Sequence, residues 1–216
     1  MTLFDNRFSD VRRFAEVDST NRVAADLARG GAADGLVVVA DHQTAGRGRR
    51  GRRWESGPGT SLLVSVVLRP VPALVTLAAG VAAAEACAAV AGAGVRLKWP
   101  NDVMADEGKL GGILSELVGD AAIVGLGMNL GWAPPGAACL GPEVDPEALL
   151  TAWLAALDEP VDVLARYRRR CSTLGRRVRV ELPGETLEGV ADDVDDQGRL
   201  VVDGRAIAAG EVFHVR

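Results

Sequence analysis

The sequence predicts an α+β protein: a mixed, mostly antiparallel sheet with helices packed on one face, followed by a small β-barrel. Three observations predict it. Apolar runs at 35–40, 61–68, 110–118 and 121–130 succeed one another with few helical segments between them, which suits a meander better than strict strand–helix alternation. Gly119-Asp120 between the last two runs is a hairpin turn. From Arg176 onward, turn signals at Pro183-Gly184, Asp195-Asp196-Gln197-Gly198 and Asp203-Gly204 separate short runs every six to twelve residues. The division expected is a main domain over 1–172 and a barrel over 173–216, with the boundary near Ser172.

Each element has a local reason. Residues 13–17 form a short strand ending at Asp18-Ser19-Thr20-Asn21, whose polar side chains can cap a helix through Val23, Ala24, Leu27 and Ala28, stopped by Gly30-Gly31. The strand at 61–68 breaks at Pro70 and Pro72. Residues 71–95 are almost uncharged, superficially like a membrane span, but alanine dominates, Glu85 interrupts, and Leu74, Leu77 and Val81 make a helical stripe. A buried amphipathic helix is predicted there, and no membrane association. After a short strand at 95–98, Trp99-Pro100-Asn101-Asp102 interrupts regular structure, because proline lacks a donor and restricts its predecessor. Residues 133–146 hold four prolines and read as a loop. Asp145-Pro146-Glu147 then starts a helix carrying Leu149, Leu150, Trp153, Leu154 and Leu157. A last helix spans 160–174, with Val163, Leu164 and Tyr167 on one side and Arg166, Arg168, Arg169 and Arg170 read as a solvated face.

Bulk properties narrow the function. A chain of 216 residues with 48% hydrophobic composition can bury a sizeable core. Its start lacks the apolar stretch of a secretory leader. Cys87, Cys139 and Cys171 are odd in number and far apart, which argues for a reducing, cytoplasmic setting and for small buried hydrophobes rather than disulfides. Two histidines and no C-x-x-C leave no structural zinc site and no resident metal, and the missing G-x-S-x-G elbow leaves a serine hydrolase without support.

The strongest signal is the loop 46–53, Gly-Arg-Gly-Arg-Arg-Gly-Arg-Arg, in a chain of net charge -5. Gly46, Gly48 and Gly51 fit G-x-G-x-x-G, but a strand rather than a helix follows, and no acid appears from Gly57 to Ala84 to hold a ribose, so the dinucleotide fingerprint fails. What survives is physical: glycines admit backbone N–H groups close to an anion, and guanidinium forks bind phosphate. Mutual repulsion of the arginines predicts that part of the loop moves until a ligand arrives. A non-specific nucleic-acid patch is the competing reading.

Three further clusters are Lys98-Trp99-Pro100-Asn101-Asp102, Lys109-Leu110-Gly111-Gly112-Ile113-Leu114 and Gly125-Leu126-Gly127-Met128-Asn129, where alternate glycines open one strand face. In order, DSTN, QTAGRGRRGRRW, KWPND, KLGGIL and GLGMN resemble the biotin protein ligases, also called biotin–acetyl-CoA-carboxylase ligases. The resemblance covers Asp18 to Asn129 and extends to the C-terminal barrel, which in this family is SH3-like, beside a catalytic domain like that of class II aminoacyl-tRNA synthetases.

The resemblance implies an enzyme that joins biotin to ATP, forms biotinyl-5′-AMP and pyrophosphate, and transfers the biotinyl group to a lysine of a carboxyl carrier domain of acyl-CoA or pyruvate carboxylases, with Mg²⁺ carried by ATP. It implies biotin contacts from Ser19, Thr20, Asn21, Gln43, Gly46, Arg47, Gly48, Arg49 and Lys109, with Gly112, Gly125 and Gly127 leaving room for biotin. Arg47, Arg49, Arg50, Arg52, Trp54, Asn101, Lys109 and Asn129 would meet ATP, Trp54 by stacking on adenine. Lys109 and Arg47 would be catalytic, and Asp102 would orient the carrier lysine or take its proton. Only about ten residues precede the first strand, so no winged helix and no specific DNA binding are expected. A monomer or weak homodimer is expected. The alternatives are a ligase for lipoate or another carboxylic acid, and a nucleic-acid module built on the arginine loop.

Overall fold

The computed structural model describes residues 7–106, 108–158 and 160–215. Residues 1–6, on which the expectation of no secretory leader falls, and Arg216, at the end of the expected barrel, lie outside them. The main sheet uses β1 (Val11–Val17), β2 (Val37–Gln43), β3 (Ser61–Leu68), β4 (Arg96–Lys98), β5 (Asp102–Ala105), β6 (Gly108–Val118) and β7 (Ala121–Asn129). Its seven strands lie in the order β1-β2-β3-β7-β6-β5-β4. Only β1 and β2 pair parallel, across helix α1 (Thr20–Arg29); the other neighbours are antiparallel. The short strand β5, directly after the Trp-Pro-Asn turn, was not expected from the sequence.

Helices cover both faces, not one. Ala24, Ala25 and Ala28 of α1 cluster with Leu36, Val38, Val67 and Ile123, whereas Val37, Val39, Val64, Val66 and Val124 face the opposite core. That core holds α2 (Val75–Ala91) and α3 (Pro146–Asp158). The apolar runs of β2 and β3 are continuous because both sides are buried, so no alternation marks a solvent face. The stretch expected to be amphipathic is likewise buried all round from Leu77 to Ala84, wedged against α3, whose Trp153 Nε1 donates to Ala79 O at 3.1 Å. Among the described residues no helix is long and apolar enough to cross a membrane.

The last helix, α4 (Val163–Arg170), is shorter than expected, and its arginines are not a solvated face. Arg166 forks onto Glu85 of α2, and Arg170 reaches the same carboxylate at 3.5 Å. Arg168 binds both oxygens of Asp193 at 2.7 Å and Val194 O at 3.0 Å. Only Arg169 is exposed as read. Removing Glu85 would strand two half-buried cations, so Glu85→Ala is expected to lower the unfolding free energy by about 1–3 kcal/mol in urea denaturation, with Arg169→Ala near neutral.

The C-terminal sheet is antiparallel and SH3-like, in the order β11-β10-β9-β8-β12. Its strands are β8 (Arg177–Leu182), β9 (Glu185–Val194), β10 (Leu200–Val202), β11 (Arg205–Ile207) and β12 (Glu211–His214). Val180, Ala191, Leu200 and Val212 belong to the same apolar cluster as the α2 side of the main sheet. Trp99 fastens the two sheets: it is 2% exposed, its backbone N donates to Thr173 Oγ1 at 3.1 Å, and its Nε1 donates to Gly198 O at 3.0 Å. Cys87 and Cys171 are buried, with burial pushing the Cys87 thiol up to about 12, but Cys139 is exposed, against expectation.

Candidate active site

Helix α1 covers only part of its face of the main sheet. Beyond its N-terminus one sheet face carries, at residues two apart, Ser65 on β3, Gly125 and Gly127 on β7, and Gly112, Leu114 and Glu116 on β6; the glycines and Leu114 form the floor of a cleft, with Ser65 and Glu116 beside it. The register pairs Ser65 with Gly125, Gly112 with Gly127 and Leu114 with Gly125, so they share one face. Over this floor lies a solvent-open cleft of about 150 Å³, with polar groups converging on it from the start of α1 and the arginine loop.

Its polar wall is the start of α1. Ser19 sits at the N-cap position with an extended backbone but makes no side-chain cap bond, contrary to the capping reading. Thr20 gives its N–H (2.7 Å) and hydroxyl (3.1 Å) to Gln43 Oε1, which orients that amide and leaves its Nε2 hydrogens for the cleft. Ser65, wholly buried and not singled out from the sequence, has its hydroxyl 2.6 Å from Asn21 Oδ1 and 2.8 Å from Thr20 Oγ1, either of which can accept its one proton. A lone serine inside an apolar strand was the available signal. Asn21 Nδ2 donates to Leu114 O (3.2 Å) and Glu116 Oε2 (2.8 Å), so this amide is used within the protein.

The glycines do not simply leave room for a ligand. A Cβ on Gly125 would lie 2.1 Å from Asn21 Oδ1, and one on Gly127 2.7 Å from the Trp54 ring. The first seats the polar wall; the second seats Trp54. At Gly112 a Cβ would make only ordinary contacts, with Lys109 at 3.4 Å and the Trp54 ring at 3.8 Å, so it could be accommodated. Trp54, expected over adenine, is therefore laid on the glycine floor, and its buried Nε1 finds no acceptor among the described residues.

The arginine loop forms a tight hairpin over the cleft. Gly48 N donates to Arg52 O (2.7 Å) and Trp54 N to Gly46 O (3.0 Å), around a 3-10 turn at Arg49–Gly51. Gly46 is required by the backbone itself, since a Cβ would meet Trp54 O at 2.5 Å, and it does not line the cleft. The expected repulsion is met inside the chain: Arg47 lies 3.2 Å from Glu116, Arg49 donates to Asn101 Oδ1 at 3.1 Å, Arg50 donates to Glu181 O at 3.3 Å, and Arg52 pairs with Glu211. Glu211 and Glu181 belong to the C-terminal sheet, a contribution that no local sequence pattern announces.

Opposite stand Lys109 and Asp102, with Lys109 Nζ 2.6 Å from Asp102 Oδ1. The β5–β6 register shifts between Val103 and Met104, opposite Lys109, and this irregularity aims the lysine into the cleft. Asn101 joins Arg49 to Ile113 O, to which its Nδ2 donates at 2.8 Å. Lys98, not assigned a role from the sequence, also lines the cleft; burial lowers its pKa, Asp102 opposes this, and Lys109 and Arg52 add to it. Asn129, expected at the nucleotide, is 2% exposed and donates to Ala138 O at 3.0 Å outside the cleft lining. Its strand alternation from Gly127 keeps the same face, but the loop after β7 covers it.

Seven cationic side chains and two carboxylates line the cleft of a chain whose net charge is -5. The arrangement can hold a polyanion against an uncharged polar ligand bound on the α1 wall. The arginines converge on a cleft, not on an open basic surface, which disfavours the nucleic-acid reading.

The profile of the biotin/lipoate A/B protein ligase family matches residues 14–131, and that of the biotin protein ligase C-terminal domain matches residues 173–215. The biotin–[acetyl-CoA-carboxylase] ligase of Mycobacterium tuberculosis is 40% identical over 94% of this chain and 88% of its own length. That of Paracoccus denitrificans is 35% identical over 92% and 98%. The biotin protein ligase of Aquifex aeolicus, solved in complex with biotin and ATP, superposes with a TM-score of 0.83 at 27% identity, covering 97% of this chain and all (100%) of that one.

Proposed function

The chain belongs to the biotin/lipoate A/B protein ligase family, and from that premise we propose how its cleft works as a biotin protein ligase. The enzyme activates biotin with ATP to biotinyl-5′-AMP and transfers the biotinyl group to a lysine of a carrier protein. The observation that carries the site assignment is the meeting of the α1 polar wall, the arginine hairpin and the Lys109–Asp102 pair in one cleft.

Biotin's ureido ring fits the Ser19, Thr20 and Gln43 wall, with its rings between that wall and Trp54. Its carboxylate then lies toward Lys109. Attack of this carboxylate on the α-phosphorus brings two anions together and expels pyrophosphate. Lys109, with Arg47 and Arg49, stabilises the charge that builds on the phosphoryl oxygens. In the second step the carrier lysine attacks the acyl carbon and AMP leaves; Asp102, freed from Lys109 as phosphate engages that cation, can take the amine's proton. Arg50, Arg52 and Asn101 border the nucleotide side, and Trp54 serves as a wall for biotin rather than a platform for adenine. The division at residue 172 is proposed as functional, with the small domain holding the arginine hairpin.

Mg²⁺ is proposed to travel with ATP. No group of three His, Cys, Asp or Glu side chains among the described residues could hold an ion, and the carboxylates in the cleft, Asp102 and Glu211, are paired with Lys109 and Arg52. Bound with the triphosphate, the ion supplies charge neutralisation.

The test is direct. Incubation with ATP, Mg²⁺ and biotin should release pyrophosphate and yield biotinyl-5′-AMP by mass, and lipoate in place of biotin should give none. A folded sample that produces the lipoyl adenylate instead would reassign the substrate.

A further inference from the structure

Glu116 has no part in the scheme above, yet it touches both halves of the cleft. On β6 it shares the face of Gly112 and Leu114, where period-two alternation places it. Its Oε2 accepts from Asn21 Nδ2 at 2.8 Å, and its Oε1 lies 3.2 Å from Arg47 Nη2. Asn21 is the buried amide that closes the α1 wall, packed on Gly125 and held by Ser65. Arg47 opens the hairpin and bridges to Arg53 across it. One carboxylate thus joins the wall to the hairpin.

We infer that Glu116 is a positioning residue that couples the biotin wall to closure of the arginine hairpin, each carboxylate oxygen serving one of the two. The inference rests on the biotin and adenylate reading of the cleft. The chemistry explains why a carboxylate stands here: both partners are donors, and both oxygens must accept at once. Neutral glutamine has the same shape but one acceptor. The Asn21 amide is the more buried partner and the costlier to leave unpaired, so glutamine keeps its oxygen there and turns its NH₂ group toward Arg47, donor against donor. Glu116→Gln therefore cuts the hairpin arm and spares the wall arm. A ligand on the wall holds Asn21 in place, which keeps Glu116 aimed at Arg47 and the hairpin down over the reaction product.

The hairpin's arginines make it a trypsin substrate, which supplies a readout besides activity. In Glu116→Gln, release of biotinyl-5′-AMP should be about three- to fivefold faster, and tryptic nicking between Arg47 and Arg53 should quicken by a similar factor with or without ligands, as suits a partly exposed ion pair. Biotin affinity without ATP, by calorimetry, should change less than about twofold, because the wall arm survives. An unchanged urea midpoint shows that the variant folds. Unaltered adenylate release and nicking would overturn the coupling, and so would a loss of biotin affinity equal to the loss of adenylate retention, which marks Glu116 as part of the wall alone. Failure of the reading beneath it looks different: the unsubstituted protein would form no adenylate, while ligand-free nicking would still report the Glu116–Arg47 contact.

Discussion

Lys109→Ala is expected to slow biotinyl-5′-AMP formation by about two to three orders of magnitude, the usual consequence of removing one preorganised charge from where negative charge develops. The side chain is 40% exposed and carries no core packing, so the fold should stand. What changes is the field. Without Lys109, Asp102 keeps its negative charge but loses the cation at 2.6 Å, and it then faces two incoming anions, the biotin carboxylate and the α-phosphate. The loss should therefore exceed that of Asp102→Asn, which leaves the cation in place. Single-turnover pyrophosphate release, read beside biotin binding and a thermal unfolding curve, separates these effects. An adenylation rate within tenfold of the unsubstituted enzyme would remove Lys109 from the chemistry; a parallel collapse of fold and rate would make it structural.

The sequence announces most of this cleft, because its parts are local: a hairpin of arginines and glycines, a lysine before two small residues, alternate glycines on a strand. It hides what depends on distant partners. Arg166 and Arg168 look like a solvated stripe until Glu85 and Asp193 arrive from other elements. Glu211, which pairs with Arg52, stands 159 positions along the chain. The two-faced burial of the sheet was masked by strands apolar on both sides, and β5 by its four-residue length. The seat of Trp54 is hidden for a different reason. An indole beside an arginine loop suits adenine chemically, but the glycine at 127 leaves a recess directly beneath it, and the ring fills that recess.

That same reasoning, that a glycine on this floor seats a protein side chain, predicts the effect of filling one. Gly125→Ala should cost about 2–4 kcal/mol of stability and weaken biotin binding by at least about a hundredfold, combining overpacking with lost buried hydrogen bonds. The new methyl would fall 2.1 Å from Asn21 Oδ1 and 3.3 Å from Ser65 Oγ, in the middle of a strand paired on both sides, so the backbone cannot yield. Asn21 must leave, abandoning its bonds to Ser65, Leu114 O and Glu116, and the buried Ser65 hydroxyl then turns to Thr20 Oγ1 alone. Gly112→Ala is the control on the same floor: its methyl makes only ordinary contacts, with Lys109 at 3.4 Å and the Trp54 ring at 3.8 Å, so stability should be kept while adenylation falls. A double-mutant cycle decides whether Asn21 is the obstacle. If it is, Asn21→Ala should cost stability in the parent but little or nothing in the Gly125→Ala background, because the side chain it removes has already been displaced. Additive losses would mean that the recess at Gly125 serves the ligand after all.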